Sequence, residues 1–199
     1  MNKYSGVYVF EGIDNVGKTT LIHKLKEKIS AETDYNCEIV TFPGNEPHTL
    51  GNLVYDIHHN QDKYFSENLN DTSLQLLHIA SHIDLINRKI KVACEKECIV
   101  LLDRCWWSTY AYGLANGISQ DILKLVIKPE LAYWEGVNVN KFFLIQRKNR
   151  EMDYCEVKEK AIIETYNELA KKDSKCTVVN NDGTIDDVTN KIFDCMFGV

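Results

Sequence analysis

Short apolar runs alternate with longer amphipathic segments along most of the chain. Runs typical of β-strands occupy residues 7–10, 37–42, 99–102, 141–145 and 176–180. Between and after them lie segments whose apolar residues recur at helical spacing. Strands that alternate with helices form βαβ units, whose strands are parallel. The pattern predicts an α/β fold, a doubly wound parallel sheet of about five strands with helices on both faces.

The same spacing predicts where the helices lie. They are expected at residues 20–29, 50–59, 72–95, 108–116, 119–133 and 153–172, with a last helix through Val188, Ile192 and Phe193. Residues 72–95 are expected to form one long, largely buried helix that starts at Asp71 or Thr72. Gly117 separates two of the helices, and Pro129 is expected to limit the second, because proline removes a helix hydrogen bond.

The turn after the first strand has the pattern G-x-x-x-x-G-K-[ST]. A glycine loop between a strand and a helix aims backbone N–H groups and the positive helix end at a phosphate. In such a loop Lys18 reaches the β- and γ-phosphates of a nucleotide, and the Thr19 hydroxyl holds Mg²⁺. The alternative is a glycine turn with an accidental Lys-Thr. We expect a phosphate-binding loop (P-loop) for ATP, formed by Gly12, Asn15, Val16, Gly17, Lys18, Thr19 and Thr20.

Length, composition and charge restrict the class of protein. The 199 residues, 44% of them hydrophobic and 26% charged, suit one globular domain covering residues 1–199. A net charge of −6 argues against a nucleic-acid polymer as partner. No apolar run approaches the length of a membrane span, and no signal-peptide pattern is found, so we expect a cytoplasmic protein. Seven scattered cysteines are typical of reduced thiols.

Asp103 and Arg104 follow the apolar run at residues 99–102. An acid at the end of a central strand can hold Mg²⁺, directly or through water, or accept a proton from an attacking oxygen. The adjacent guanidinium can bind a phosphate through two hydrogen bonds. The alternatives are a helix cap for Asp103 and a surface ion pair for Arg104.

A basic segment follows the fourth predicted strand. Arg147 and Arg150 lie in it, three residues apart, within a short lid expected around residues 146–153. If the lid folds over a bound nucleotide, these side chains neutralise charge on the moving phosphoryl group and help to exclude water. The alternative is a solvated run of charges.

Two histidines and an aromatic group are further candidates for the site. His78 and His82 share one helix face, where they would line a pocket, although a metal pair or ordinary packing would give the same spacing. An aromatic group directly after Arg104 could stack on a base, pack in the core or form a subunit contact. Its members are Trp106, Trp107, Tyr110 and Tyr112.

Over most of its length the chain resembles the thymidylate kinase family. Residues 10–19 are similar to that family's F-E-G-x-D-x-x-G-K-[ST] loop, and residues 76–82 to its L-L-F-x-A-x-R helix. Residues 103–112 resemble its D-R-Y-x-x-S-x-x-A-Y segment, residues 41–44 look like its proline loop, and residues 180–184 fall where it binds adenine. Many nucleotide kinases share the glycine loop, so the other segments carry the narrower assignment.

The resemblance implies a Mg²⁺-dependent transfer of the ATP γ-phosphate to a nucleoside monophosphate, with thymidylate first, by a homodimer. It implies catalytic roles for Lys18, Asp103, Arg104, Arg147 and Arg150. Thr19 and Asp103 would hold the metal, and Asp182 and Gly183 would contact the donor base. The acceptor would be bound by Asp14, which contacts the sugar 3′-hydroxyl, and by Phe42, Pro43, His78, His82, Arg104, Ser108 and Tyr112.

The departures from the family pattern fall mainly on the acceptor side. His78 replaces a phenylalanine that stacks on thymine, His82 replaces an arginine that binds the base, and Cys105 replaces a tyrosine. The arginine of the proline loop has no counterpart, and Asn15 stands where one subgroup has an arginine. Two alternatives therefore stay open: a kinase for another nucleotide or a nucleoside, and a nucleotide-responsive binding protein without phosphoryl transfer.

Overall fold

Parallel strands form the centre of the molecule. The computed structural model describes residues 3–148, 151 and 155–198. In this part of the chain one sheet has the strand order β2-β3-β1-β4-β5, with every pair parallel. The strands are β1 (Gly6–Glu11), β2 (Cys37–Thr41), β3 (Ile99–Asp103), β4 (Val139–Gln146) and β5 (Cys176–Asn180). The predicted fold class is confirmed.

The helices form two packed groups. They are α1 (Lys18–Glu32), α2 (Leu50–His59), α3 (Asp71–Leu85), α4 (Lys91–Glu95), α5 (Trp106–Ala115), α6 (Gln120–Trp134), α7 (Glu156–Lys172) and α8 (Ile185–Phe197), with a short 3₁₀ turn at Gln61–Lys63. Helix α1 packs on α8, whereas α3 packs on α2, α5 and α6, and α5 also packs on α7. None of the described helices combines the length and the apolar content that a membrane crossing requires.

The segment predicted as one long helix is interrupted. Asn70, one residue before the expected start, caps α3 by accepting a hydrogen bond from the Ser73 amide at 2.9 Å. A π-helical turn at Ile86–Ile90 then separates α3 from α4. Both Ile86 and Ile90 are fully buried, so the wider turn adjusts the helix period to keep these two side chains in the core.

Pro129 lies inside α6, so the prediction that it limits this helix is wrong. Proline leaves the carbonyl four residues earlier without its helix partner. That carbonyl belongs to Leu125, a residue that is 70% exposed, so water can satisfy the freed oxygen. The solvent side of a helix therefore tolerates a proline that periodicity alone treats as a stop signal.

The edge of the sheet at the carboxyl ends of its central strands is the expected place for a site. Strands β1 and β3 are buried along their whole length, and Leu21, Leu25 and Ile29 of α1 are fully buried. Asp103 is in register with Phe10 on one side and with Thr41 on the other. The carboxyl ends of three strands thus meet at one edge, where ligands of such folds bind.

Candidate active site

A cleft of about 690 Å³ opens at the carboxyl ends of β1, β2 and β3. This volume is in the range of small-molecule binding sites. The cleft brings together most of the site residues predicted from the sequence, on both the donor and the acceptor side. They are Asp14, Asn15, Gly17, Lys18, Thr19, Thr20, Phe42, Pro43, His78, His82, Asp103, Arg104, Ser108 and Tyr112.

The P-loop curls around the Lys18 side chain. Its ammonium group donates hydrogen bonds to the carbonyls of Gly12 at 2.8 Å and Ile13 at 2.9 Å. Burial, and then the nearby Arg104 cation, lower the pKa of Lys18 to about 8. A side chain at Gly12 would lie 2.3 Å from the Ile145 carbonyl oxygen, so only glycine lets the loop lie against β4.

The Thr19 hydroxyl and the Asp103 carboxylate meet at the end of β3. Thr19 Oγ1 donates to Asp103 Oδ2 at 3.1 Å, while Asp103 Oδ1 is buried and has no hydrogen-bond partner in the described part of the chain. No group of three or more His, Cys, Asp or Glu residues in that part could hold a metal by itself. One carboxylate and one hydroxyl suit Mg²⁺, which keeps several waters and binds substrate phosphates. The orphaned oxygen fits such an ion.

Arg104 and Asp14 form an ion pair inside the cleft. Arg104 has a left-handed backbone, with φ of 72°, and its guanidinium also donates to Ser108 Oγ at 3.1 Å. The Tyr112 hydroxyl donates to the second carboxylate oxygen of Asp14 at 2.9 Å. The acid and the guanidinium that the sequence assigned to one acceptor are therefore adjacent and held in place by α5.

Sequence reasoning gave no role to Glu11, which lies beneath the Arg104 ion pair and is completely buried. Its Oε1 accepts hydrogen bonds from the amides of Cys105 at 2.8 Å and Ser108 at 3.2 Å. Its Oε2 accepts from the hydroxyls of Ser108 at 2.8 Å and Tyr166 at 3.1 Å. Burial raises the pKa of Glu11. The carboxylate caps α5, which begins at Trp106, earlier than predicted. The sequence did contain one signal for Glu11, because it is an acid at the end of an apolar strand.

One wall of the cleft is built from stacked rings. The Phe42–Pro43 peptide bond is cis, and the Phe42 ring stacks on the His82 ring with centroids 4.2 Å apart. Behind it, His82 Nδ1 lies 2.8 Å from Glu130 Oε2, and the Trp134 indole donates to Glu130 Oε1 at 3.1 Å. Glu130 and Trp134 lie about 50 residues further along the chain, on α6, so helix periodicity gave no signal for them.

His78 lies beside this wall and contacts another histidine. Its Nε2 is 2.8 Å from Nδ1 of His58, which lies on α2 and was also missed. Burial lowers the pKa of His78 well below its usual value, so this ring is neutral near pH 7. The structure thus brings both predicted pocket histidines to the cleft, each with a partner from another helix.

Several predicted donor-side residues do not line this cleft. Asp182 and Gly183 are exposed, and the Asp182 carboxylate accepts a hydrogen bond from the Lys148 amide at 2.9 Å. Arg147 is exposed and, with Val16, borders a separate cavity of about 190 Å³. Arg150 lies outside the described residues, as do residues 149, 152 and 153 of the expected lid. Their roles stay predictions.

Known proteins share the sequence pattern and the fold. The family model described as thymidylate kinase matches residues 10–192. The chain is 32% identical to a thymidylate kinase of Thermoanaerobacter sp. strain X514 over 175 residues, which is 82% of each chain. It is 27% identical to one of Trichodesmium erythraeum strain IMS101, over 92% of this chain and 91% of the relative.

A solved structure agrees at the level of the fold. The thymidylate kinase from Ehrlichia chaffeensis superimposes with a TM-score of 0.78 at 23% identity, covering 96% of this chain and 98% of that one. The resemblance found in the motifs extends over nearly the whole sequence in the family match, with the motif side chains gathered at one cleft. The chain belongs to the thymidylate kinase family.

Proposed function

We propose that the protein is an ATP-dependent nucleoside monophosphate kinase that transfers the γ-phosphoryl group of ATP to an acceptor, with thymidylate as the first candidate. One observation carries the proposal. A single cleft has the P-loop, with Lys18 and Thr19, beside Asp103, and the Arg104–Asp14 pair opposite a wall of stacked rings. Phosphate-binding and base-binding surfaces thus share one open space.

The donor half holds the triphosphate. The loop amides and the Lys18 ammonium bind the phosphate oxygens, and Lys18 exchanges its contacts with the Gly12 and Ile13 carbonyls for contacts with the phosphates. Thr19 and Asp103 hold Mg²⁺, which, when bound, neutralises charge on the phosphate oxygens. Asp182 and Gly183 contact the donor base from the loop after β5.

The acceptor half holds the monophosphate. Arg104 binds its phosphate and Asp14 its sugar, so an acceptor loosens the ion pair between the two side chains. Phosphoryl transfer requires little covalent chemistry from a protein, and in-line placement with charge compensation supplies most of the rate. Arg147 and Arg150 complete the charge compensation when the lid closes and excludes water.

A second candidate is a kinase for another nucleotide. It is favoured by one observation: the cleft wall presents His78 and His82, each held by a further side chain. The family pattern has phenylalanine and arginine at these two positions. The choice among acceptors depends on these rings and not on the donor half.

A screen of nucleosides and nucleoside monophosphates with labelled ATP tests the proposal. We expect transfer to a monophosphate, with thymidylate first, and loss of at least about 100-fold in kcat for Lys18→Ala, because a charged phosphate ligand is removed. Lys24→Ala, on the exposed side of the same helix, is the matched control and should retain full activity. ATP binding without transfer to any acceptor would instead favour a regulatory binding protein.

We also propose that the protein acts in the cytoplasm as a homodimer. Helix α6 carries an exposed apolar stripe, with Ile122, Leu125, Pro129 and Tyr133 at spacings of three and four residues. At 70%, Leu125 is more exposed than Ile122 or Tyr133, and apolar residues that are contiguous on one helix face favour a contact with another surface. The seven cysteines carry free thiols, as a reducing compartment maintains.

A further inference from the structure

Two histidines from different helices present ring nitrogens to each other at the cleft. Nδ1 of His58, near the end of α2, lies 2.8 Å from Nε2 of His78 on α3, and the planes of the two rings are 74° apart. His58 is exposed, His78 is half-buried, and both residues line the cleft. Two ring nitrogens at this distance share one proton, so one of them carries an unprotonated lone pair aimed at the other.

The neighbouring histidine on α2 is held differently. The ring of His59 stacks on that of His58 with centroids 5.0 Å apart, but its Nδ1 lies 2.8 Å from the carbonyl oxygen of Tyr55. A carbonyl only accepts, so this nitrogen carries the proton of the His59 ring. Among the residues that the structure describes, no three potential ligands surround a common point. The His58–His78 pair is thus a set of two protein ligands.

The spacing of the two nitrogens is close to that required by a tetrahedral metal ion. Bonds from Zn²⁺ to imidazole are about 2.0–2.1 Å long, so two such ligands hold their nitrogens about 3.3 Å apart. The rings need to separate by about 0.5 Å, which the exposed His58 side chain allows. The ring that donates the hydrogen bond passes its proton to its other nitrogen, as neutral imidazole can. Both lone pairs then point at the ion.

We propose that His58 and His78 form a binding site for a divalent transition metal ion, with Zn²⁺ as the first candidate. Imidazole is a preferred ligand of Zn²⁺, Cu²⁺ and Ni²⁺, whereas Mg²⁺ prefers oxygen ligands. The site is therefore distinct from the proposed Mg²⁺ position at Thr19 and Asp103, and excess Mg²⁺ does not compete for it. Water, or an oxygen of a bound molecule, fills the remaining coordination positions.

The ion inhibits the protein from the acceptor side of the cleft. It joins α2 to α3 and takes up space between residues that line the cleft, while the P-loop keeps its contacts. This consequence rests on the proposed function, whereas the metal binding does not. We expect Zn²⁺ to inhibit transfer competitively with the nucleoside monophosphate and without competition with MgATP.

Metal binding is tested by calorimetric titration of the full chain with Ni²⁺ in excess Mg²⁺, because Ni²⁺ favours imidazole over the free thiols of the protein. His58→Ala removes one of two ligands and should raise the Kd for Ni²⁺ at least about 10-fold, since even loss of a supporting partner typically costs that much. His59→Ala is the matched control, an adjacent exposed histidine on the same helix, and should keep the wild-type Kd. With Cu²⁺, electron paramagnetic resonance should show coupling to two imidazole nitrogens in the wild type and to one in His58→Ala.

The outcomes separate the metal site from the proposed activity. The same Kd for Ni²⁺ in the wild type and in His58→Ala, or an equal loss in His59→Ala, overturns the metal site. Inhibition by Zn²⁺ that competes with MgATP, or that is as strong in His58→Ala as in the wild type, overturns the inhibitory role. A protein that transfers to no acceptor but binds Ni²⁺ through His58 refutes the proposed kinase alone.

Discussion

Lys18 is a cation in surroundings that disfavour a positive charge. Burial and the nearby Arg104 lower its pKa to about 8 in the unliganded protein, and a bound triphosphate reverses this by supplying negative charge. Under the proposed role of Lys18, ATP binds the protonated lysine. We expect full affinity below pH 8 and a loss approaching about tenfold per pH unit above it, measured as the Kd of MgATP between about pH 7 and pH 9.5.

Lys18→Arg separates this effect from other titrations in the cleft, since arginine stays charged over the whole range. Its Kd for MgATP should be higher than that of the wild type but nearly constant with pH. The same slope in both proteins would show that another group is responsible.

Burial shifts the pKa of Glu11 in the opposite direction to that of Lys18: it raises this pKa above that of an ordinary glutamate. A group that binds its proton more tightly in the folded state contributes stability below its unfolded pKa, and this contribution is lost as pH rises through the folded pKa. Glu11→Gln keeps the two amide contacts, and its NH₂ can donate to the Ser108 and Tyr166 hydroxyls. We expect the Tm difference, variant minus wild type, to increase from about pH 4 towards pH 7.

Glu11→Ala is the companion variant. It leaves the Cys105 and Ser108 amides without an acceptor at the start of α5, so it should destabilise the protein by about 2–4 kcal/mol at neutral pH. A Tm difference between Glu11→Gln and the wild type that is constant with pH would exclude a contribution from Glu11 titration.

At the scale of secondary structure elements, α2 is pressed against the loop that follows β2. A side chain at Gly51 would lie 2.0 Å from the Pro43 carbonyl oxygen, which is backbone and cannot turn away. Gly51→Ala should therefore displace α2 or the Phe42–Pro43 wall. We expect a rise of about tenfold or more in KM for the acceptor, with an unchanged Kd for MgATP, because a displaced wall weakens acceptor binding while the P-loop keeps its place.

Leu53→Ala is the matched control for this displacement. Leu53 lies on the same helix and is 45% exposed, so its truncation should change neither constant. Equal effects of Gly51→Ala on donor and acceptor would show that α2 supports the whole cleft and not its acceptor wall alone.

The strands and most helices could be predicted because each depends on a local pattern. The apolar run that became β3 and the glycine loop before α1 are readable within ten residues. The π-turn at Ile86–Ile90 and the continuation of α6 past Pro129 could not be predicted, since they depend on core packing and on solvent around one carbonyl. Glu130 and Tyr166 were missed because their roles exist only through contacts between distant segments. Glu11 had a local signal, an acid at the end of an apolar strand, but its partners lie on distant helices.

At the scale of the whole molecule, several chain segments contribute residues to the site at one edge of the sheet. The residues proposed to bind the donor phosphates lie together in the P-loop and were predicted together, whereas Asp103, Asp182 and Gly183 come from other segments. The proposed acceptor side draws on the P-loop, the loop after β2, α3 and α5, with partners on α2 and α6, so sequence analysis named some of its members but not the partners that fix them. A prediction from sequence is thus most complete where the function lies in one continuous turn.

The exposed apolar stripe on α6 is the proposed contact between the two subunits of a homodimer. A homodimer that covers Leu125 would remove a large apolar side chain from water, and Leu125→Asp would place a charge in that interface. We expect sedimentation velocity to show a dimer for the wild type and a monomer for Leu125→Asp. Val157→Asp on α7 is the matched control, because Val157 is 80% exposed on another helix, and it should leave the dimer intact. A wild-type protein that stays monomeric at all concentrations, or a dimer that tolerates Leu125→Asp but not Val157→Asp, would place the interface elsewhere or remove it.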